Sequence, residues 1–169
     1  RVLGVSTAKS LLLALALSSS FEVRNIPFFP SERFWYLAVA SGTLAQELVR
    51  QHFKDKLSLG LAYTSGLLHN IGLLALATSF PEELKSVFFE DEEEPVNVLV
   101  LRKVGIDPFE AGAWLGKRWG LPEDLVRVIR YQRDYSYEGP QWEMARLIDL
   151  AVVVAEYHLD GKALSEIPG

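Results

Sequence analysis

The chain has 169 residues, a length typical of a single domain that is able to bury a sizeable core. Hydrophobic residues account for 49% and charged residues for 23% of the sequence, which excludes an intrinsically disordered chain. The 17 Lys and Arg residues are outnumbered by 22 Asp and Glu residues, and the net charge of −5 argues against a nucleic-acid-binding surface. The sequence contains no cysteine, which excludes disulfides, thiolate zinc sites and cysteine nucleophiles and agrees with a reducing, cytoplasmic compartment.

Two apolar segments have features of membrane signals. A lysine followed by the apolar residues 11–17 imitates a secretory signal peptide, and residues 57–80 are long enough to cross a bilayer. The first segment is equally typical of a buried helix, and polar residues such as His69 and Asn70 interrupt the second. We therefore predict buried helices and no membrane span. Because the chain starts at Arg1 without a methionine, we expect it to be a fragment.

The spacing of apolar residues predicts an all-α protein. It is helical in nearly every segment, and the alternation typical of strands is scarce. The five consecutive acidic residues 90–94 are predicted to form a solvated loop or helix end. We expect Gly105 to end one helix in a left-handed conformation. In chain order, the predicted helices cover 2–19, a stretch from a Ser31 cap to about His52, 57–70 with a break at Gly72, 73–79, and further stretches that start at Pro81, Pro95, Pro108 after an Asp107 cap, Glu123 and Gln141.

The predicted core includes one side of the long helix after Ser31. Small residues between the large apolar side chains would allow another helix to approach closely, and the residues concerned are Phe34, Leu37, Leu44 and Leu48, with Ala38, Ser41 and Ala45 between them. Tryptophans with apolar neighbours are expected in the core or at its edge, namely Trp35, Trp114 and Trp119. An exposed tryptophan beside Tyr131 or Tyr135 would instead mark a partner surface.

Two polar residues stand in apolar surroundings and are candidates for a buried site. His69 lies in a stretch where both imidazole nitrogens need partners, and Asp149 lies among Leu, Ile and Val side chains. A buried, unpaired carboxylate is strongly unfavourable, so Asp149 needs a partner, which could be His69, a hydroxyl, a backbone amide or a metal. His69 is either a satisfied core histidine or one ligand of a metal site that needs further ligands.

Several short segments stand in an order and at spacings that match one protein family. They are Phe34-Trp35, Gly66-Leu67-Leu68-His69-Asn70-Ile71-Gly72, Gly105-Ile106-Asp107 with Glu110-Ala111-Gly112, Ala113-Trp114-Leu115 through Arg118-Trp119-Gly120-Leu121-Pro122-Glu123, and Ile129-Arg130-Tyr131. On these segments, and over most of its length, the chain resembles the HDOD domains. These are bacterial signalling modules related to the metal-dependent HD and HD-GYP phosphohydrolases.

The resemblance implies a fold and a domain organisation. The expected fold is a single all-α domain, an HD-like orthogonal helical bundle of about seven to nine helices. Residues 1–30 would be the remnant of an amino-terminal subdomain that is partly missing, residues 31–158 the helical core, and residues 159–169 a tail. Residues 2–21 are expected to pack back on the rest.

The positions where this sequence departs from the family bear on catalysis. Catalytic HD relatives have a histidine where this chain has Leu37, which cannot bind a metal. Their defining His-Asp pair corresponds to His69 and Asn70 here. An amide oxygen binds transition metals poorly and brings no negative charge, so this change alone should weaken a metal site.

Histidines of the catalytic relatives are replaced at the remaining family positions as well. A third family histidine would fall near Pro108, and the family's His-His pair is Gln132 and Arg133 here. Only His69 and Asp149 keep coordinating side chains, fewer than the three or more protein ligands that hydrolytic metal centres use. The guanidinium of Arg133 would also repel a divalent cation. The resemblance therefore implies a vestigial site with no metal, no cofactor and no enzymatic activity.

We expect a non-catalytic regulatory or scaffolding module that contacts other signalling proteins or domains and that is able to form a homodimer. A structural domain that only positions its neighbours in a longer chain is one alternative, and two further functions stay open. One is a metal-dependent phosphohydrolase of the HD type. The other is a metal-free nucleotide or phosphate sensor, in which Arg127, Arg130, Tyr131 and Arg133 contact a phosphate or a partner.

Overall fold

The computed structural model describes residues 26–89, 94–163 and 165. Within those ranges the chain is helical and contains no strand, which confirms the predicted all-α class. The predicted helix over 2–19 and residues 90–93 of the acidic run lie outside the described residues. The described part contains eight α-helices, α1 (Ser31–Leu48), α2 (Leu59–Leu68), α3 (Ile71–Ser79), α4 (Pro81–Phe89), α5 (Val96–Val104), α6 (Pro108–Arg118), α7 (Glu123–Tyr131) and α8 (Trp142–Leu159), and a π-helical turn, Val49–Phe53, continues α1.

The start of α1 differs from the predicted cap. The carbonyl of Pro30 accepts the first helical hydrogen bond from the Phe34 N–H at 2.9 Å, so Pro30 stands at the N-cap and Ser31 is the first helical residue. The Ser31 hydroxyl donates to the Phe29 carbonyl at 3.3 Å and caps nothing. The prediction of a Ser31 cap was wrong by one residue, because the carbonyl that starts the helix belongs to the preceding proline.

Helices α2 and α3 form the centre of the bundle. Together they contact α1, α6, α7 and α8, and most of their residues are buried. Residues 59–79 are long and apolar enough to cross a membrane, but 67% of their apolar window is buried inside the protein, as in the core helix of a bundle. The chain also turns at His69 and Asn70 in the middle of this stretch.

Glycines set how closely α1 and α2 approach each other. A Cβ placed on Gly66 of α2 would lie 2.5 Å from the Cα and the amide nitrogen of Gly42 in α1. Ser41 and Ser65 are fully buried at the same crossing. The small residues of α1 therefore serve as predicted, since they allow backbone-to-backbone contact with a neighbouring helix.

A second glycine contact, at Gly72, joins α3 to α6, and the helix break lies before this residue. The chain turns at His69 and Asn70, and Gly72 lies inside α3. A Cβ on Gly72 would lie 1.8 Å from the Pro108 carbonyl oxygen and 2.5 Å from the Gly112 amide nitrogen. The prediction that Gly72 breaks the helix was wrong because this glycine serves a close packing contact rather than a turn.

The boundary between α5 and α6 follows the sequence prediction. Gly105 ends α5 with a left-handed backbone, φ 76°, where glycine carries no steric penalty. Asp107 then caps α6, and its Oδ1 accepts hydrogen bonds from the amides of Phe109 at 2.6 Å and Glu110 at 3.3 Å. Pro108 occupies the first helical position, where its missing N–H costs nothing.

Trp114 of α6 lies further out than predicted. Trp114 is 65% exposed, so the prediction that it belongs to the core was wrong. The buried side of α6 consists of small residues, Gly112, Ala113 and Gly116, and it packs on α3 and α7. Trp114 projects from the other side, where the guanidinium of Arg118 lies 6.0 Å from its ring.

The glycine contact between α3 and α6 is testable by substitution. Gly72→Ala should lower the free energy of unfolding by about 3 kcal/mol or more, because backbone atoms on both sides of the added methyl group cannot move away independently. Gly116→Ala is the matched control, since its Cβ would meet side-chain atoms and no backbone, the nearest being a Val126 methyl at 3.3 Å and a Leu121 methyl at 3.4 Å. We expect a change within about 1 kcal/mol. Urea unfolding followed by circular dichroism measures both, and equal midpoints for the two variants would contradict the contact.

Candidate functional site

A cavity of about 870 Å³ opens beside the turn between α2 and α3. It is bounded by the amino-terminal ends of α5 and α6, the chain after α7 and one face of α8. The predicted vestigial positions that line it are His69, Asn70, Pro108, Gln132, Arg133 and Asp149. Leu37 is buried in α1 and does not belong to the cavity lining. The fold thus brings together six of the seven positions.

The Asp149 carboxylate on α8 is held at both oxygens. The Arg133 Nε donates to Oδ1 at 3.0 Å, and the Tyr135 hydroxyl donates to Oδ2. The Asp149 side chain is 7% exposed, so these two donors replace most of its hydration. The sequence left the partner of Asp149 open, and the structure supplies two, the guanidinium group of Arg133 and the phenol group of Tyr135. Both come from the chain that follows α7.

His69 lies in the cavity wall as a neutral imidazole. Its Nδ1 is 2.7 Å from the carbonyl oxygen of Gly66, and because that oxygen only accepts, Nδ1 carries the hydrogen. Burial lowers the pKa of His69 to about 4, and the Arg133 charge acts in the same direction against the opposing effects of the Gly66 hydrogen bond and Asp149. At neutral pH the other ring nitrogen, Nε2, therefore carries no hydrogen and is a hydrogen-bond acceptor.

Gln132 connects the end of α7 with the turn that carries His69. Its amide nitrogen donates to the His69 carbonyl at 2.8 Å and to the Ile129 carbonyl at 3.0 Å, and the side chain is almost completely buried. This residue was predicted only as a replaced family position. Its contacts show a second role, since it fixes the position of α7 against the His69 turn.

Sequence reasoning missed Arg146 on α8, which holds the chain after α7 in place. Its guanidinium donates to the carbonyls of Gln132 and Asp134 and lies 4.7 Å from the centre of the Tyr135 ring. Tyr135 is thereby oriented toward Asp149. Only the helical spacing from Asp149 would have signalled Arg146, because the two residues lie three apart and share one side of a helix.

The three arginines that were proposed to contact phosphate do not come together. Arg127 pairs with Glu123 at 3.1 Å and with Asp124 at 3.5 Å on its own helix. Arg130 pairs with Glu110 at 2.6 Å. Of the three arginines, Arg133 alone lines the cavity, while Tyr131 stacks on Tyr137 outside it.

The residues at the cavity do not fit a hydrolytic metal centre. Among residues 26–89, 94–163 and 165, no three His, Asp or Glu side chains come close enough to hold a metal ion. Each oxygen of Asp149 already accepts one hydrogen bond, from Arg133 or from Tyr135. A guanidinium in this position also repels a divalent cation, so no step of a metal-assisted reaction can be derived from this arrangement.

The Arg133–Asp149 pair should contribute measurably to stability. Arg133→Met removes the cation and leaves a buried carboxylate with one donor, so we expect the free energy of unfolding to fall by about 3 kcal/mol. Arg127→Met breaks a surface pair of the same type and should cost less than about 1 kcal/mol. Chemical denaturation compares the two, and equal losses would show that Arg133 does not compensate a buried charge.

The neutral state of His69 predicts a pH dependence of stability. Its folded pKa of about 4 lies below the ordinary value of 6.5, so the unfolded chain takes up the proton first as the pH falls. The stability contributed by the neutral imidazole is complete above the unfolded pKa and should fall by about 3 kcal/mol between about pH 7 and pH 4. A His69→Gln variant should lose this part of the pH dependence, whereas His52→Gln, at an exposed site, should keep it. An NMR titration of His69 near its ordinary value would contradict the assignment.

Comparison with known proteins identifies relatives of this chain. The model of the HDOD domain family matches residues 1–135. An uncharacterized protein of Treponema pallidum (strain Nichols) is 28% identical over 114 residues, which are 66% of this chain and 22% of that protein. A crystal structure of a predicted signal transduction protein of Marinobacter aquaeolei VT8 is 32% identical and superimposes with a TM-score of 0.80 over 89% of this chain and 34% of its own.

A third relative shares the fold at lower identity. The crystal structure of a predicted phosphohydrolase of Shewanella amazonensis SB2B is 23% identical, with a TM-score of 0.79 over 98% of this chain and 60% of its own. The chain thus spans about a fifth of the Treponema protein and about a third of the Marinobacter protein. The family match over four fifths of the sequence and the shared helical architecture lead to one conclusion: the chain belongs to the HDOD domain family.

Proposed function

We propose that this HDOD domain is a non-catalytic regulatory or scaffolding module that acts through protein–protein contacts and carries a degenerate HD metal site. The observation that carries the proposal is the set of partners of the Asp149 carboxylate. One oxygen accepts a hydrogen bond from Arg133 and the other from Tyr135, and the Arg133 guanidinium brings a positive charge where a metal site needs ligands that are neutral or negative. A site built in this way is suited to stability rather than to hydrolysis.

The exposed surface supports a role in protein contacts. Trp114 is 65% exposed, with Arg118 beside it, and Trp142 is 45% exposed at the start of α8. Tryptophan and arginine are enriched among the residues that dominate the energy of protein interfaces. The partners would be other signalling proteins or domains, with a second copy of the chain as one option, in the cytoplasm that a cysteine-free sequence favours.

The phosphate-sensing alternative finds less support. Arg127 and Arg130 are paired with carboxylates, and neither lines the cavity. The cavity itself contains more carboxylates than cationic side chains, which disfavours an anionic ligand. We therefore retain the regulatory module as the function that the geometry supports best.

Metal content and hydrolysis together test the proposal. Protein purified without chelator, and again after incubation with manganese, iron or zinc, should contain less than about 0.1 metal ion per chain, because two potential ligands cannot retain a cation. The same preparations should not hydrolyse bis-p-nitrophenyl phosphate. An Asp149→Ala variant is the control for metal bound elsewhere. Near-stoichiometric metal that disappears in this variant, or metal-dependent hydrolysis, would overturn the proposed function.

A further inference from the structure

A second cavity, of about 780 Å³, opens as a groove between α1 and α8. Among the described residues it shares only Lys162 with the cavity beside His69, so it is a separate site. Side chains of α1 form one wall, and side chains from the last two turns of α8 form the other. The volume of this α1–α8 groove lies within the range of small-molecule sites.

Most of the α1–α8 groove is apolar. Its apolar lining includes Val39, Ala40, Leu44 and Val154. Val39 is 46% exposed, so water covers apolar surface inside a concave site. The Thr43 hydroxyl adds no free donor there, because it donates to the Val39 carbonyl of its own helix at 2.8 Å. An apolar ligand would remove this surface from water, which favours binding.

Polar side chains gather at one end of the groove. The Arg33–Asp160 ion pair joins the start of α1 to the residue after α8, so the two helices run antiparallel. Tyr36 in the second turn of α1 therefore lies at the same end as His158 and Lys162. All three side chains are able to donate hydrogen bonds. No Asp or Glu is among the described residues that line the groove, so this end is suited to an anion.

Lys162 supplies the positive charge of this end. Its Nζ lies 3.9 Å from Oδ2 of Asp160, which is beyond hydrogen-bond distance, and Asp160 is itself held by Arg33 at 2.7 Å. The ring of Tyr157, at 5.5 Å, attracts the ammonium group without accepting a conventional hydrogen bond from it. The N–H groups of Lys162 therefore remain available to an anion.

We propose that the α1–α8 groove binds the anion of a medium-chain fatty acid. The carboxylate pairs with Lys162 and accepts hydrogen bonds from Tyr36 and His158. The alkyl chain lies along α1 over Val39 and Leu44, and Leu44 is about 12 Å from Tyr36 along the helix axis. A free phosphate would leave the apolar wall in water, and a wholly apolar ligand would leave the cationic end without a partner. An amphipathic anion uses both ends of the groove.

Calorimetric titration of the 169-residue chain with decanoate, below its micelle concentration, tests the inference. We expect saturable binding of one decanoate per chain and no binding of decylammonium, whose head group has the opposite charge. Lys162→Gln removes the cation and should weaken decanoate binding about fivefold, as expected for an exposed ion pair. Lys117→Gln makes the same change at an exposed position of α6 outside the groove and should bind like the wild type.

A second pair of variants tests the apolar part of the groove. Val39→Asp places a carboxylate beside the alkyl chain and should abolish binding of decanoate. Val98→Asp makes the same substitution on α5 at a similar exposure, 42% against 46%, and should leave the affinity unchanged. Because both valines are exposed, both variants should fold, which circular dichroism checks.

The indole N–H signals of two tryptophans locate the bound decanoate by NMR. The signal of Trp35, which lines the groove, should shift during the titration, while that of Trp114 on α6 should stay in place. Failure of decanoate to bind would leave the groove to another occupant, such as residues 1–25 or a helix of a partner protein, and would overturn the inference. Equal affinity for decylammonium, equal effects within either pair of variants, or binding only to phosphatidylglycerol vesicles would overturn it as well.

Discussion

The buried carboxylate of Asp149 is the constraint around which the site is organised. A carboxylate in an apolar helix face is tolerated only when donors replace its hydration. Arg133 and Tyr135 supply those donors, and Arg146 orients Tyr135 and holds the backbone between them. The chain after α7 therefore follows α8 closely, although no regular secondary structure dictates its course.

The same constraint determines the electrostatics of the cavity. Burial lowers the pKa of His69 and the Arg133 charge acts in the same direction, so the imidazole stays neutral and its Nδ1–H stays on the Gly66 carbonyl. Gln132 bonds to the His69 carbonyl and couples this turn to α7. The polar side chains that line the cavity thus bond to one another and to the backbone around them. These hydrogen bonds connect α7 and the chain that follows it with the His69 turn and with α8.

Local sequence signals predicted the helices well where the backbone alone decides the outcome. Gly105 and Asp107 specify a helix end and a helix start by their own conformational and hydrogen-bonding preferences. The predictions for Gly72 and Trp114 failed because both depend on how α6 packs. Gly72 lies against the backbone of α6, and α6 turns its small residues rather than Trp114 toward the core. Such tertiary contacts leave no mark on local periodicity.

The site was predictable as a set of positions but not as a set of contacts. The apolar surroundings of Asp149 indicated that the residue is buried and paired. Its partner Arg133 lies 16 residues away across a polar loop. The family resemblance placed Arg133 among the site positions, but no local pattern indicated that this arginine bonds to Asp149 while Arg127 and Arg130 form surface pairs. Loop conformation decided the difference, and it depends on contacts with α8 that only the folded chain provides.

The helices around the His69 turn are positioned by glycine contacts with backbone atoms, whereas the polar groups of the cavity are mainly side chains. Gly66 fixes α2 against α1, and Gly72 fixes α3 against α6, so the turn between them is clamped by backbone atoms on either side. The side chains at the cavity surface take no part in these two contacts. Substitution at Asn70 would therefore change the polar surface of the cavity while the backbone contacts that position the surrounding helices stay in place.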